Sequence, residues 1–380
     1  MRFPLLVAAL VGSAILVGSP RAEAQTDPDR CRFVGELSKA DDAIASCDRV
    51  IGDSKTNAPD RAAALSSRCG WWWAKKDSDR ALSDCNEAIR LNRSFAAAYL
   101  NRGNVYLSKS DFDHALADFN EALRLDPKNA WAYAERGNLY QNRGDFDRAL
   151  LDLNESIKLD PGYALAYFSR GDLYRKRGEL ARAMGDMNDT LRLDPNYALA
   201  YFTRGHLSFM LGNGPAALDD FGKAIKLNGD DAIAFFNRGV TYYLVGGRNP
   251  DAIADFKKAA ELNPKDAYAA LWLELAQRRN NAPTHLAKAA KDLDMTVWPA
   301  PVIRLFLGEL NAEQAFGAAI DTDPQTKAAQ TCEVNFYSGE LALLKKNKKE
   351  AQRLLKFAAD NCPPSFIEST AAVAGLIQLK

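Results

Sequence analysis

The sequence contains only three histidines, His114, His206 and His285, and long stretches of chain separate them. A metal centre or hydrolase site built on histidine therefore has few candidate residues. Charge of one sign is not in excess either, because Lys plus Arg and Asp plus Glu number 49 each. Without a positive field to attract phosphate groups, nucleic acid is not the expected partner.

The short motifs of common enzyme classes are also missing. The sequence has no G-x-S-x-G nucleophile elbow, no H-E-x-x-H zinc motif, no Walker-type phosphate loop and no dinucleotide-binding fingerprint. It has six cysteines but no C-x-x-C pair, which disfavours a metal or redox site. We therefore predict a non-enzymatic protein with no cofactor and no bound metal.

Residues 1–24 have the pattern of a secretory signal peptide. Arg2 gives a positive start, an apolar run extends from Leu5 to Val17, and Ala22-Glu23-Ala24 is a small-residue cleavage site. We therefore expect export and cleavage after Ala24. No later segment approaches the roughly 18 apolar residues of a transmembrane helix, so no integral membrane segment is predicted after cleavage.

A 34-residue repeat dominates the rest of the chain. The dipeptide Arg-Gly recurs at this spacing, at 102–103, 136–137, 170–171, 204–205 and 238–239. Alanine keeps the same step at Ala115, Ala149, Ala183 and Ala217. Such a period indicates an architecture in which each repeat buries its apolar face against its neighbours.

The repeat resembles the tetratricopeptide repeat, which has characteristic residues at positions 4, 8, 11, 20, 24, 27 and 32. The copy that begins at Ala96 matches all of them, with Tyr99, Gly103, Tyr106, Ala115, Phe119, Ala122 and Pro127. The resemblance implies an all-α fold, a right-handed α-solenoid of stacked antiparallel helix hairpins. Small residues at positions 8 and 20 let the two helices approach closely, and proline at 32 ends each hairpin.

The register divides the chain into successive segments. After the signal peptide, residues 25–61 form a degenerate N-terminal hairpin. Residues 62–266 form six repeats, 62–95, 96–129, 130–163, 164–197, 198–231 and 232–266. Residues 267–331 are degenerate helical repeats, and residues 332–380 form a C-terminal hairpin of the same type with a capping helix.

The register also pairs the six cysteines, which an exported protein commonly uses in disulfides. Cys69 and Cys85 occupy positions 8 and 24 of one hairpin, where facing helices are close. Cys31 and Cys47 have the same spacing, and Cys332 and Cys362 fall at positions 1 and 31. We therefore predict the structural disulfides Cys31–Cys47, Cys69–Cys85 and Cys332–Cys362.

Arginine at position 7 and aspartate at position 23 recur together, as in Arg170 and Asp186. A ladder of arginines can bind anions. The fixed aspartate partner instead favours charge pairs between the two helices of a hairpin, because buried charges are normally paired. We predict a structural role for these arginines.

In the family, positions 2, 5, 9 and 12 of the first helix line a concave groove, here called the groove face. The candidate partner-binding residues on it are Asn104, Trp131, Asn138, Phe168, Arg175, Phe202, His206, Phe209, Phe236 and Tyr243. The face is amphipathic in early repeats and aromatic in later ones, which suits a peptide or a helix. The alternative is that these side chains pack on adjacent repeats or under the chain's own C-terminal region.

The resemblance implies a scaffold or adaptor that binds a peptide or a partner protein. Together with the signal peptide, it suggests the periplasm and a role in envelope assembly, secretion or protein quality control. Two alternatives stay open. One is an enzyme carried on a helical solenoid with residues 283–331 as an insert, and the other is a self-assembling structural protein.

Overall fold

A computed structural model describes residues 27–32, 39–245, 249–363 and 366–379. The predicted signal peptide, residues 1–24, lies outside the described residues. The chain divides into two compact units, here called the N-terminal unit (up to residue 195) and the C-terminal unit (from residue 196). Every regular element of the described residues is a helix, which confirms the predicted all-α fold.

In the N-terminal unit, consecutive helices pack against each other as hairpins, and neighbouring hairpins stack. Its described helices are α1 (Asp27–Cys31), α2 (Ala40–Gly52), α3 (Ala58–Ala74), α4 (Ser78–Leu91), α5 (Ala96–Ser108), α6 (Phe112–Leu125), α7 (Ala130–Asn142), α8 (Phe146–Leu159), α9 (Ala164–Lys176) and α10 (Leu180–Leu193). Helix α3 begins ahead of the predicted repeat boundary at residue 62. The cause is local, because the Asn57 side chain caps the helix and Pro59 occupies its first turn.

The C-terminal unit begins with two regular hairpins and becomes less regular after α15. Its described helices are α11 (Ala198–Met210), α12 (Gly214–Leu227), α13 (Ala232–Leu244), α14 (Asn249–Leu262), α15 (Ala267–Arg279), α16 (Leu286–Ala289), α17 (Ala300–Leu307), α18 (Ala312–Gly317), α19 (Pro324–Leu344), α20 (Lys348–Asn361) and α21 (Ile367–Gln378). Helix α19 has 21 residues and starts ahead of residue 332, where the register places the C-terminal hairpin. Asp323 caps it and Pro324 opens its first turn.

Each hairpin depends on a close approach between its two helices. A Cβ atom on Gly103 of α5 would lie only 2.6 Å from the Phe119 ring of α6. Glycine at position 8 therefore makes room for the aromatic ring at position 24. Ala115, Phe119 and Ala122 are all fully buried at this contact, and burial of such apolar surface provides most of the stability.

The three cysteine pairs lie within hairpins. The structure joins Cys31 to Cys47, Cys69 to Cys85 and Cys332 to Cys362, with Cα–Cα distances of 4.7, 5.5 and 5.3 Å. These distances suit a disulfide. Each bond joins two helices that pack against each other, α1 to α2, α3 to α4 and α19 to the end of α20.

Candidate functional site

The groove face of the N-terminal unit is formed by the first helices of its repeats. Five of the predicted binding residues lie there, namely Asn104, Trp131, Asn138, Phe168 and Arg175. Trp131, Asn138 and Arg175 are half-buried. Asn104 and Phe168 are buried, with 3% and 7% of their surface exposed. Part of this face is therefore open to a partner.

A carboxylate that the repeat register does not predict as a binding residue lies among these side chains. Glu135 of α7 accepts a hydrogen bond from Trp131 Nε1 at 2.9 Å and another from the Asn138 side chain. Burial raises the pKa of Glu135, and these two neutral donors only partly oppose the effect. In the part of the chain that the structure describes, no lysine or arginine pairs with this carboxylate.

Asn104 of α5 has an unusual environment for a buried amide. Both its Nδ2 and its Oδ1 are buried and have no hydrogen-bond partner among the described residues. A buried polar group without a partner costs about 1–3 kcal/mol. Such groups are rare in proteins and require an explanation.

At α9 the groove face carries a network centred on Asp172. The carboxylate accepts hydrogen bonds from Arg175 at 2.7 Å and from Gln141 Nε2 at 2.8 Å. Lys176 Nζ lies 3.0 Å from the same side chain. Burial alone would raise the pKa of Asp172, but the charges of Arg175 and Lys176 outweigh burial and lower it. The basic side chains here are therefore already engaged.

The structure corrects the expectation for Phe236 and Tyr243 in the C-terminal unit. They were expected to line an open groove, but only 3% and 2% of their surface is exposed. The Phe236 ring packs against Phe256 and Trp272, with centroids 5.7 and 6.3 Å apart. The Tyr243 hydroxyl donates to Glu340 of α19 at 3.0 Å, and Arg279 lies over the Tyr243 ring.

Helix α19 covers the groove face of the C-terminal unit at α13 and α15. Glu333, Phe336 and Glu340 recur with helical spacing on one side of α19. They contact Tyr268, Trp272 and Tyr243 respectively. The physical reason is burial, because the groove helices and α19 each present aromatic or apolar side chains that leave water together. The chain's own C-terminal region thus occupies this face.

The other three predicted residues of the C-terminal unit lie on α11. Phe202, His206 and Phe209 are all half-buried. The Phe202 ring lies 5.6 Å from Phe221 of the same hairpin, and Phe209 packs against the core that contains Phe236. These side chains therefore contribute to packing on at least one side.

Two further structural findings concern metal ions and membranes. Among the described residues, no group of three or more His, Cys, Asp or Glu side chains is arranged to hold a metal ion. No helix in the described ranges has the length and hydrophobicity that crossing a membrane requires.

A signal for Glu135 was present in the sequence. Position 6 of the repeats is otherwise occupied by small or neutral polar residues, Ser67, Asn101, Ser169, Thr203 and Asn237. Glu135 is the charged exception. By contrast, the contacts of Glu340 and Arg279 depend on where α19 packs, which the repeat register does not specify.

Comparison with known proteins supports this reading of the repeats. Family models described as "TPR repeat" and "Tetratricopeptide repeat" match residues 103–144, and residues 135–198 and 202–267, respectively. No curated protein sequence matches the chain.

Several solved structures share the fold. PilF of Pseudomonas aeruginosa is 17% identical, with 59% of this chain and 100% of that chain covered and a TM-score of 0.52. PilW, a type IV pilus biogenesis factor, is 16% identical, with 55% and 96% covered and a TM-score of 0.50. The APC/C hetero-tetramer Cut9–Hcn1 is 17% identical, with 65% and 53% covered and a TM-score of 0.53.

The sequence register, the stacked hairpins and the family matches agree. Repeats of this kind support a role as a protein–protein interaction scaffold, with a protein or a peptide as partner. The chain carries tetratricopeptide repeats, which the family models match over residues 103–198 and 202–267.

Proposed function

We propose that this protein is an exported, non-enzymatic adaptor that binds a segment of a partner protein on the groove face of its N-terminal unit. The observation that carries the proposal is that, among the described residues, another part of the chain covers the groove face in one unit and not in the other. Helix α19 covers the face of the C-terminal unit at α13 and α15. In the described part of the chain, all substantial packing of α5 and α7 is with helices of their own and neighbouring repeats.

The side chains of the N-terminal groove face suit a peptide. Asn104, Asn138 and Gln141 carry amides, which both donate and accept hydrogen bonds as a peptide main chain does. Trp131 adds a half-buried aromatic ring, a type of side chain that often dominates binding energy.

Export is proposed from the N-terminal sequence pattern and from the cysteines. The three cysteine pairs at disulfide distance suit an oxidising compartment, where such bonds persist. We place the adaptor in the periplasm, with a role in envelope assembly, secretion or protein quality control.

Site-specific photo-crosslinking in the producing cell tests the binding face. A photoreactive phenylalanine analogue at position 138 should form adducts with a partner protein. The same analogue in place of Leu151, which is 69% exposed on α8, is the matched control and should give few. Equal adducts from both positions, or adducts from position 151 alone, would show that the groove face is not the binding site.

Cell fractionation tests the export proposal separately. The protein should be recovered with periplasmic markers, and thiol labelling without reductant should leave all six cysteines unmodified. Cytoplasmic recovery with reactive thiols would overturn it. Assays of peptidoglycan and peptide hydrolysis address the enzymatic alternative, and light scattering addresses self-assembly.

A further inference from the structure

We propose that Glu135 selects the partner, by pairing with a lysine or arginine side chain of the bound segment. This inference rests on the proposed function, since it assumes that the N-terminal groove face binds a segment. It adds the chemistry of the recognised residue. The bound segment would be extended and would place one cationic side chain at α7.

The first argument is the position of the charge. Position 6 lies in the packing between first helices of successive repeats. Asn101 at this position is 8% exposed and donates to the Ser66 carbonyl oxygen of the preceding first helix at 2.9 Å. Ser169 is 5% exposed. Small neutral side chains therefore satisfy the packing, and packing alone does not require a carboxylate at residue 135.

The second argument is the lack of a counter-charge. A carboxylate removed from water loses solvation, and it regains that energy only through a cation or several donors. Glu135 has the two neutral donors Trp131 and Asn138. The basic side chains at the C-terminal end of α9, Arg175 and Lys176, already pair with Asp172. A cationic side chain of the partner would supply the counter-charge that the described part of the chain does not itself provide to Glu135.

The third argument comes from the neighbours of Glu135. Gln141 and Asp172 are 31 residues apart and form a hydrogen bond between adjacent first helices. Asn104 and Glu135 have the same separation in the preceding pair of helices, but no hydrogen bond joins them. The half-buried Asn138 side chain, which donates to Glu135, borders the same carboxylate. The Trp131 ring adds a surface that attracts cations.

An array of random-sequence 12-residue peptides, probed with the purified full-length protein, tests this selection. We expect bound peptides to be enriched in lysine or arginine. The best binder, resynthesised with that residue changed to glutamine, should bind at least tenfold more weakly. The variant Glu135→Gln should bind the cationic and glutamine peptides equally. It keeps an acceptor for Trp131 and Asn138, and its circular dichroism should match wild type.

Glu155→Gln is the matched control, because it removes the same charge from the same repeat. Glu155 pairs with Lys158 on α8 at 3.0 Å, and that lysine is largely exposed. This variant should discriminate between the two peptides as wild type does. If wild type shows no preference for cationic peptides, or Glu135→Gln keeps the preference, the inference is wrong while peptide binding stands. If no array peptide binds wild type, the peptide-binding proposal fails with it.

Discussion

The Arg170 guanidinium donates two parallel hydrogen bonds to the Asp186 carboxylate, from Nε at 2.9 Å and from Nη2 at 2.8 Å. Its third nitrogen, Nη1, donates to Asn154 Oδ1 of the preceding repeat at 2.8 Å. One side chain therefore joins α9 to α10 within a hairpin and also to α8. Equivalent arginines make the same connections at Arg68, Arg102 and Arg136. The predicted pairing within hairpins is confirmed, and the bridge to the previous repeat is new.

Replacing Arg170 should destabilise the N-terminal unit strongly. Only 19% of the Arg170 side chain and 6% of the Asp186 side chain are exposed. Arg170→Ala leaves a buried carboxylate unpaired, and such losses cost about 3–5 kcal/mol. Thermal and urea unfolding should show this loss. The control Arg182→Ala breaks the exposed pair with Glu179 and should cost less than about 1 kcal/mol.

A glycine at residue 110 should stabilise the repeat that begins at Ala96. Ser110 has φ 60° in the turn between α5 and α6, and the next three repeats have Gly144, Gly178 and Gly212 at this turn. A left-handed conformation costs a non-glycine residue about 1–2 kcal/mol. Glycine loses more conformational entropy on folding than serine does, which offsets roughly 0.5–1 kcal/mol of the stability gained by the substitution.

The expected net gain from Ser110→Gly is therefore roughly 0.5–1 kcal/mol, measured as a higher midpoint of urea unfolding. Gly144→Ala provides the reverse test and should lower the midpoint. If Ser110→Gly leaves the midpoint unchanged or lowers it, the turn is not strained at this residue.

The repeats were predictable because their cause is local and periodic. Gly103 and Phe119 must face each other wherever two helices of this length form a tight hairpin, so the spacing alone reveals the contact. The position of α19 has no such signal. Tyr243 and Glu340 are 97 residues apart, and the segment between them loses the repeat register. Their hydrogen bond depends on the path of short helices, which sequence periodicity does not specify.

The candidate site was predictable to a similar degree. Position 9 predicts Asn104 and Asn138 on the first helices of their repeats, and they lie on α5 and α7. The unpartnered state of the Asn104 amide depends on how tightly successive first helices pack. That packing is a tertiary property, and it also determines how much of Trp131 and Arg175 stays open.

Truncating Phe236 should behave as a loss of core packing. Its ring is 3% exposed and lies among Phe256 and Trp272, so Phe236→Ala should cost about 3–5 kcal/mol. Phe202 is half-buried, and Phe202→Ala should cost clearly less. Unfolding of the two variants followed by circular dichroism gives both values. Equal, small losses would mean that the Phe236 side chain is open to solvent and available to a partner.

The stability of the C-terminal unit should fall as pH rises from about 4 to 7, because Glu333 of α19 loses a proton over this range. Glu333 is 3% exposed and accepts hydrogen bonds from Trp298 Nε1 at 2.8 Å and Tyr268 at 2.9 Å. Burial and the nearby charge of Glu368 raise the pKa of Glu333 to about 7. In the unfolded chain the pKa of a glutamate is about 4.3.

The folded state therefore binds this proton more tightly than the unfolded state does. The stabilisation is complete below about pH 4 and is lost as pH rises through about 7. A difference of this size corresponds to roughly 4 kcal/mol. Glu333→Gln removes the titration, so this variant should be more stable than wild type at pH 8 and similar to it at pH 4.

Melting temperatures of wild type and Glu333→Gln across pH 4 to 8 measure the effect as a difference, which cancels the titration of carboxylates that do not interact with Glu333. Glu350→Gln is the control in the next helix, α20. Glu350 is exposed, and its pKa is lowered by Arg353, so the change should give no gain at pH 8. If the difference in melting temperature between Glu333→Gln and wild type stays constant with pH, Glu333 does not titrate in this range. Burial at α19 would then not raise the pKa of Glu333.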